Sequence, residues 1–235
     1  MIFIRSLLFS FGSIIATLII GSMSFLTFPF PYIFRFHFVR SWALFNLWWL
    51  RLTCNITFKV TGAENITENN GIVFCKHQST FETLVLQKLI IPHVWVLKRE
   101  LLWLPFFGWG LAALEPIAID RASGRKAVEQ IKQQGINRLK KGRWVVIFPE
   151  GTRVPAGEQK RFGVGGAILA AESGYPVLPI AHNAGRYWPR KSFLKYPGTI
   201  QIHIGQLIET KGKTHDEINQ IAKLWIDNKV TEIGG

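Results

Sequence analysis

No charged residue occurs between Ser6 and Phe34, and this stretch restricts the fold more than any other feature of the 235-residue chain. Its densest part, Leu7 to Phe28, is mostly Leu, Ile and Phe diluted by Ser, Thr and Gly. As a helix these 22 residues measure about 33 Å, against a hydrocarbon core of about 30 Å, so the segment is long enough to span a bilayer. Pro29 and Pro31 stop that helix. The next stretch, Tyr32 to Leu52, mixes Trp42, Trp48, Trp49 and several Phe with Arg35, His37, Arg40 and Arg51. Such a mixture suits the headgroup boundary, where aromatic rings and guanidinium groups each find their preferred depth. Two other readings stay open. One is a cleaved signal peptide, with Arg5 as a weakly basic start and small residues at Gly21 to Ser24 but no clear A-x-A site. The other is a hairpin lying in one leaflet without crossing.

All 15 acidic residues and 27 of the 28 basic ones follow residue 34, so the rest of the chain carries +12 of the formal net charge of +13. An anionic partner is expected: nucleic acid, an acidic membrane surface or a phosphorylated substrate. The basic flank behind the apolar segment favours keeping that side in the cytoplasm. Only 18% of residues are charged and 48% are hydrophobic, where about a quarter charged is usual in a soluble domain. That tilt argues against disorder and for some apolar surface that faces something other than water or a protein core. Two cysteines, Cys54 and Cys75, are too few for a disulfide framework and have no metal-ligand spacing, so a reducing compartment and no bound metal are expected.

From about Asn55 onward the pattern changes. Short β-rich runs predict strands at Gly71 to Cys75, Val94 to Leu97, Pro116 to Ile119, Trp144 to Phe148, Val177 to Ala181 and Thr199 to Ile204. The last alternates, and several others are continuously apolar, as buried strands are. Ser123 to Lys141 reads as a helix closed by Gly142, and Thr214 to Val230 as another, opened by a capping box of Thr214 and Glu217. Strands alternating with helices predict an α/β fold, a mixed sheet flanked by helices with an N-terminal hydrophobic helical membrane anchor. The division expected is 1–54 for the anchor and 55–235 for the α/β domain.

Behind the strand ending at Cys75 comes Lys76-His77-Gln78-Ser79-Thr80-Phe81-Glu82. Five positions on a regular helix place two side chains about 140° apart, so His77 and Glu82 cannot meet if both are helical. If Ser79 caps the helix, His77 lies in the loop before it and Glu82 in the first turn, pointing back. The carboxylate can then fix the imidazole tautomer while the other ring nitrogen takes a proton from a hydroxyl. Against this, Ser79 and Glu82 also form a plain S-x-x-E capping box in which Glu82 serves only the helix end. His37, His93, His182, His203 and His215 read as structural or solvated. A second cluster, Phe148-Pro149-Glu150-Gly151-Thr152-Arg153, follows the strand Trp144 to Phe148, and ligands of α/β sheets collect at the carboxyl ends of strands. Gly151 permits close backbone approach and Arg153 offers a planar fork for phosphate oxygens. Lys98 and Arg121 occupy equivalent positions on two other strands, so three cations can converge on one anion.

With these blocks in place, the chain resembles the bacterial 1-acylglycerol-3-phosphate acyltransferases of the glycerolipid acyltransferase superfamily. His77 to Glu82 resembles their H-x4-D motif. Lys98-Arg99-Glu100 through Pro105 and Gly108 to Ile119-Asp120-Arg121 resembles the second block, Phe148 to Arg153 the third, and Val177-Leu178-Pro179-Ile180 the fourth. The likeness covers residues 70–185, and it also implies an N-terminal membrane segment. In one respect the chain departs from the pattern: Glu82, one methylene longer, stands where the family usually has Asp.

The resemblance implies transfer of a fatty acyl group from acyl-CoA or acyl carrier protein to the sn-2 hydroxyl of lysophosphatidic acid, giving phosphatidic acid with no covalent acyl-enzyme and no cofactor. It implies His77 as base and Glu82 as its orienting partner. Lys98, Arg121 and Arg153 would hold the phosphate, with Glu150, Gly151 and Thr152 in the same pocket. Backbone amides near Ser79 are candidate oxyanion donors. The stretch Leu101 to Leu114, with Trp103, Phe106, Phe107 and Trp109, reads either as an acyl-chain channel or as core and membrane packing. The expected place of work is the inner membrane, with the catalytic domain facing the cytoplasm. The motifs leave open glycerol 3-phosphate or another lysophospholipid as acceptor. A noncatalytic basic protein of a membrane surface or nucleic acid is the remaining class; no nucleic-acid module supports the second.

Overall fold

In the computed structural model, which describes residues 1–235, the uncharged run forms α1 (Ile2–Ser24), prolonged by a 3-10 turn to Thr27. The prolines break the chain, and α2 (Tyr32–Cys54) returns alongside. Two indoles of α2 tie the hairpin: Trp42 Nε1 donates to Thr17 Oγ1 at 2.9 Å and Trp49 Nε1 to the Leu8 carbonyl at 3.1 Å. On α1 the buried positions are Ser6, Phe9, Ala16, Gly21 and Ser24, whereas Phe3, Leu7, Phe11, Ile14 and Leu18 are exposed. Small residues inward and large apolar ones outward is the reverse of a water-facing helix and suits contact with hydrocarbon. It is the one helix long and apolar enough to cross a membrane. α2 is different: Phe36, Val39, Ala43, Leu47, Leu50 and Cys54 recur at three- and four-residue spacing and enter the same core as the sheet. The hydrophobic core is therefore continuous across residue 54.

The sheet has seven strands: β1 (Ile56–Thr61), β2 (Ile72–Cys75), β3 (His93–Lys98), β4 (Ile117–Ile119), β5 (Trp144–Ile147), β6 (Val177–His182) and β7 (Gly198–Ile204). Their order is β1-β7-β6-β2-β5-β3-β4, parallel throughout except for the antiparallel pair β6–β7. Six strands fall where the β-rich runs predict them. β1 was not among them: its sequence, Ile-Thr-Phe-Lys-Val-Thr, is half polar because it is an edge strand with one open side. The central strands alternate strictly between two faces. Val73, Cys75, Trp144 and Val146 pack toward α2 and α3 (Phe81–Leu89). Ile72, Phe74, Val145 and Ile147 pack toward α5 (Arg125–Lys140), α6 (Gly165–Ser173) and α8 (His215–Glu232). The Thr214–Glu217 capping box opens α8 as expected. The remaining helices are short, α4 (Phe107–Ala113) and α7 (Ala184–Tyr187).

An ionic cluster fixes the start of α2 to this body. Glu115 receives Arg143 at 2.7 Å, Arg138 at 3.4 Å and Arg35, while Arg143 lies 3.4 Å from the ring centre of Tyr32. Burial works to raise the Glu115 carboxyl, but hydrogen bonds from Arg143 and Arg35 and the charge of Arg138 outweigh it and hold the pKa at about 2. A carboxylate depressed on folding contributes stability above its unfolded value of 4.5, and that contribution is lost as pH falls through the folded value. Glu115→Gln is thus expected to lower stability at pH 7 by about 1 kcal/mol and to match the parent near pH 2. Melting curves at the two pH values check this; an equal deficit at both would remove the ionic account.

Candidate active site

Parallel strands at the centre of the sheet decide which loops meet. β2 lies between β5 and β6, and β3 follows β5, so the segments after Cys75, Ile147, His182 and Lys98 emerge at one edge. His77 lies two residues beyond β2 and the Glu150–Arg153 turn three beyond β5. The two loops are joined directly: the Val154 amide donates to the His77 carbonyl at 2.7 Å.

His77 Nδ1 and Glu82 Oε1 are 2.8 Å apart. The same oxygen accepts the amides of Gln78 at 2.9 Å and Ser79 at 2.8 Å, and Ser79 Oγ accepts the Phe81 amide at 3.2 Å. Glu82 thus closes half of a capping box and orients the histidine with one oxygen, so the two roles that looked like alternatives coexist. The amides of Gln78 and Ser79 are committed to Glu82, which removes them as free oxyanion donors. Burial tends to raise the Glu82 carboxyl, but the imidazoles of His182 and His77 and the Ser79 amide more than offset it, leaving its pKa below the usual range. The His77 ring stacks on Phe148 at 4.0 Å, and Phe148 in turn on Trp95 at 5.9 Å. With Nδ1 engaged, Nε2 is the ring nitrogen free for chemistry.

Behind this pair sits a second layer that no motif announced. Lys76, fully buried, reaches Glu150 Oε1 at 2.5 Å, and Glu150 Oε2 accepts the His77 amide at 2.8 Å. Glu150 is consequently turned away from the cavity and holds the His77 loop; it does not line the pocket in which it was expected. Opposite charges on adjacent strand ends were visible in the sequence, but only the β2–β5 pairing makes them neighbours. His182 Nε2 donates to the Lys76 carbonyl at 2.8 Å, Nδ1 accepts the Ala184 amide at 3.2 Å, and Glu82 Oε2 lies 3.8 Å away. Burial lowers the His182 pKa, and its two ring-nitrogen hydrogen bonds brace this layer. His93 is likewise structural: it bonds the Ile90 carbonyl at 2.6 Å and is pushed down to about 4 by burial.

His77, Arg121 and Arg153 open onto one cavity of about 210 Å³. Its walls come from β3 (Trp95, Leu97), α4 and the turn before it (Phe106, Leu111), α1 (Ile20) and α2 (Val39). A Cβ on Gly21 would stand 2.5 Å from the Phe106 carbonyl oxygen, so glycine lets α1 close this wall. Leu101, Phe106 and Phe107 line the cavity as the channel reading expects, while Trp103 and Trp109 face outward. Arg121 donates to the Gly151 carbonyl, a residue at φ +70° where glycine is favoured. Arg153 has a buried Nε with no protein partner. Lys98 does not join them. Its ammonium is captured by Glu100 at 3.2 Å and is half-exposed outside the cavity. Thr152 is partly buried and also off the cavity wall.

Residues 57–183 match the family model described as Acyltransferase. A 1-acyl-sn-glycerol-3-phosphate acyltransferase of Pseudomonas aeruginosa is 46% identical, over 98% of this chain and 91% of its own length. One of Borreliella burgdorferi is 26% identical, over 84% and 78%. The crystal structure of the 1-acyl-sn-glycerophosphate (LPA) acyltransferase PlsC from Thermotoga maritima superposes with a TM-score of 0.82, covering 99% of this chain and 95% of that one at 22% identity, which shows a common fold.

Proposed function

Because the chain belongs to the acyltransferase family, we propose that it acylates the sn-2 hydroxyl of lysophosphatidic acid from an acyl thioester, forming phosphatidic acid. The observation that carries this reading is the His77–Glu82 pair at 2.8 Å, set at the mouth of an apolar cavity beside two arginines. His77 Nε2 removes the hydroxyl proton as the oxygen attacks the thioester carbon. The tetrahedral oxyanion collapses, the carbon–sulfur bond breaks, and the leaving thiolate takes the proton back from the imidazolium. An ester replaces a thioester and the proton ends on the thiol. Glu82 keeps the reactive tautomer and stabilises the transient imidazolium. The thioester is already activated, so no acyl-enzyme is needed. The acyl chain lies in the apolar cavity and the lysolipid phosphate on Arg121 and Arg153.

The exposed apolar face of α1 supports a membrane placement. The helix touches the body from Ser6, whose Oγ accepts the Lys195 amide at 3.0 Å, to Gly21 against Phe106. The 15 rises from Ser6 to Gly21 span about 22 Å of helix. A helix held along the body over that length lies with it on one side of the bilayer. The exposed apolar face of α1 then enters one leaflet and the catalytic edge opens toward lipid. The body would sit on the cytoplasmic face of the inner membrane, where acyl-CoA and acyl carrier protein are found, its basic surface against anionic lipid.

Purified protein in vesicles with labelled lysophosphatidate and an acyl thioester should form phosphatidate. Arg153→Ala is expected to raise the KM for the lysolipid about tenfold or more, with a smaller effect on the thioester KM. The reverse pattern would move this arginine to the carrier.

A further inference from the structure

Beyond the catalytic mouth the surface continues into a groove of different chemistry. Thr80 and Arg153 line both the apolar cavity and this groove. Its other cations, Arg190, Lys191 and Lys195, come from the loop joining α7 to β7. Arg190 and Lys191 also border an adjoining depression with Pro155 and Gly185. No carboxylate pairs with Arg153, Arg190, Lys191 or Lys195, whereas the three arginines at Glu115 share one. The loop is anchored: Lys195 is buried with its ammonium on the Phe193 carbonyl at 2.8 Å and 4.9 Å from the Trp188 ring centre. The Tyr196 amide returns to the Tyr187 carbonyl at 2.7 Å. Arg190 and Lys191 themselves are exposed at its tip.

The reaction brings two anions to one histidine, and their chemistry separates them. In lysophosphatidate the phosphate is on the carbon next to the one bearing the attacking hydroxyl, so it must be bound beside His77, where Arg121 and Arg153 are. In the donor a pantetheine arm stands between the thioester carbon and the first phosphate, so that phosphate must be met outside the cavity. We infer that Arg190 and Lys191 bind the phosphate at the far end of the donor's pantetheine arm, a group common to coenzyme A and acyl carrier protein. The arm would run from His77 past Thr80 and Arg153 along the groove. This rests on the acyl-transfer reading.

The test compares the parent with Arg190→Ala/Lys191→Ala, two exposed positions, in vesicles whose only anionic lipid is lysophosphatidate. Four donors carry the same acyl chain: acyl-CoA, acyl carrier protein thioester, acyl-4′-phosphopantetheine and acyl-pantetheine. The parent should favour the phosphate-bearing donors in KM by about tenfold. In the variant that preference should collapse, with the lysophosphatidate KM changed less than about twofold. The carrier protein and coenzyme A arms show which source depends more on the loop. Retention of the preference in the variant overturns the inference. So does a rise in KM that is equal for acyl-pantetheine, or a loss confined to binding of anionic vesicles, which would make the loop a membrane contact. Calorimetric binding of coenzyme A against pantetheine gives the same comparison without turnover. Absence of phosphatidate from the parent would defeat the acyl-transfer reading, whereas normal turnover with an unchanged donor preference would defeat this inference alone.

Discussion

His77→Ala is expected to reduce phosphatidate formation by about 10³-fold or more, with the melting temperature close to that of the parent. General-base catalysis contributes about 10²–10⁴-fold, and no other group at the cavity mouth can take its place. Arg121 and Arg153 offer guanidinium groups, which serve as hydrogen-bond donors, and Glu82 is turned inward with its Oε1 shared among three donors. The imidazole is partly exposed, and its main fixed contacts are Glu82 and the Phe148 ring, so truncation leaves the fold in place. Retention of more than a few per cent of the parent rate, in protein shown to be folded, would end the assignment of His77 as base.

Glu82 is the second position with a large expected effect, because its two duties separate on substitution. Glu82→Gln keeps an oxygen that can accept the Gln78 and Ser79 amides, so the helix start should survive. It loses the charge that stabilises the imidazolium, and kcat should fall by about 10²-fold or more. A residue serving only the helix end would tolerate Gln with almost no loss of rate. Glu82→Asp restores the acid usual in the family at a site where the backbone is spaced for a longer side chain. About tenfold loss is expected, through a stretched contact to His77. The folded-state pKa of Glu82 is depressed, so its carboxylate stays charged down to acidic pH and its contribution is lost only as pH falls through that low value. Loss of the Glu82 charge should therefore not contribute to the pH dependence of kcat/KM near neutrality.

Particular residues show where reading a chain succeeds. The six anticipated strands are short apolar runs bounded by turn residues, and the Thr214–Glu217 box is a purely local device; both are encoded within a few positions. β1 escaped because an edge strand needs fewer apolar residues. Lys98 ends β3, but its side chain answers to Glu100, two residues on, and strand position alone does not decide that competition. Glu150 matched the expected motif, and its actual partner, Lys76, is 74 residues away in sequence.

The sequence by itself determined the alternation of strands and helices, the apolar N-terminal helix, and the residue types that make acyl transfer chemically possible, because these depend on local periodicity and on functional groups. The tertiary structure alone decided which of those groups meet. Placing β2 between β5 and β6 brings His77, the Glu150–Arg153 turn and His182 to one sheet edge, and it buries Lys76 and Glu150 as a brace behind the site. It also resolved the rivalry over Glu82. A carboxylate oxygen can accept from more than one donor, so once the chain is folded the atom that caps the helix start is also the one that holds the His77 ring.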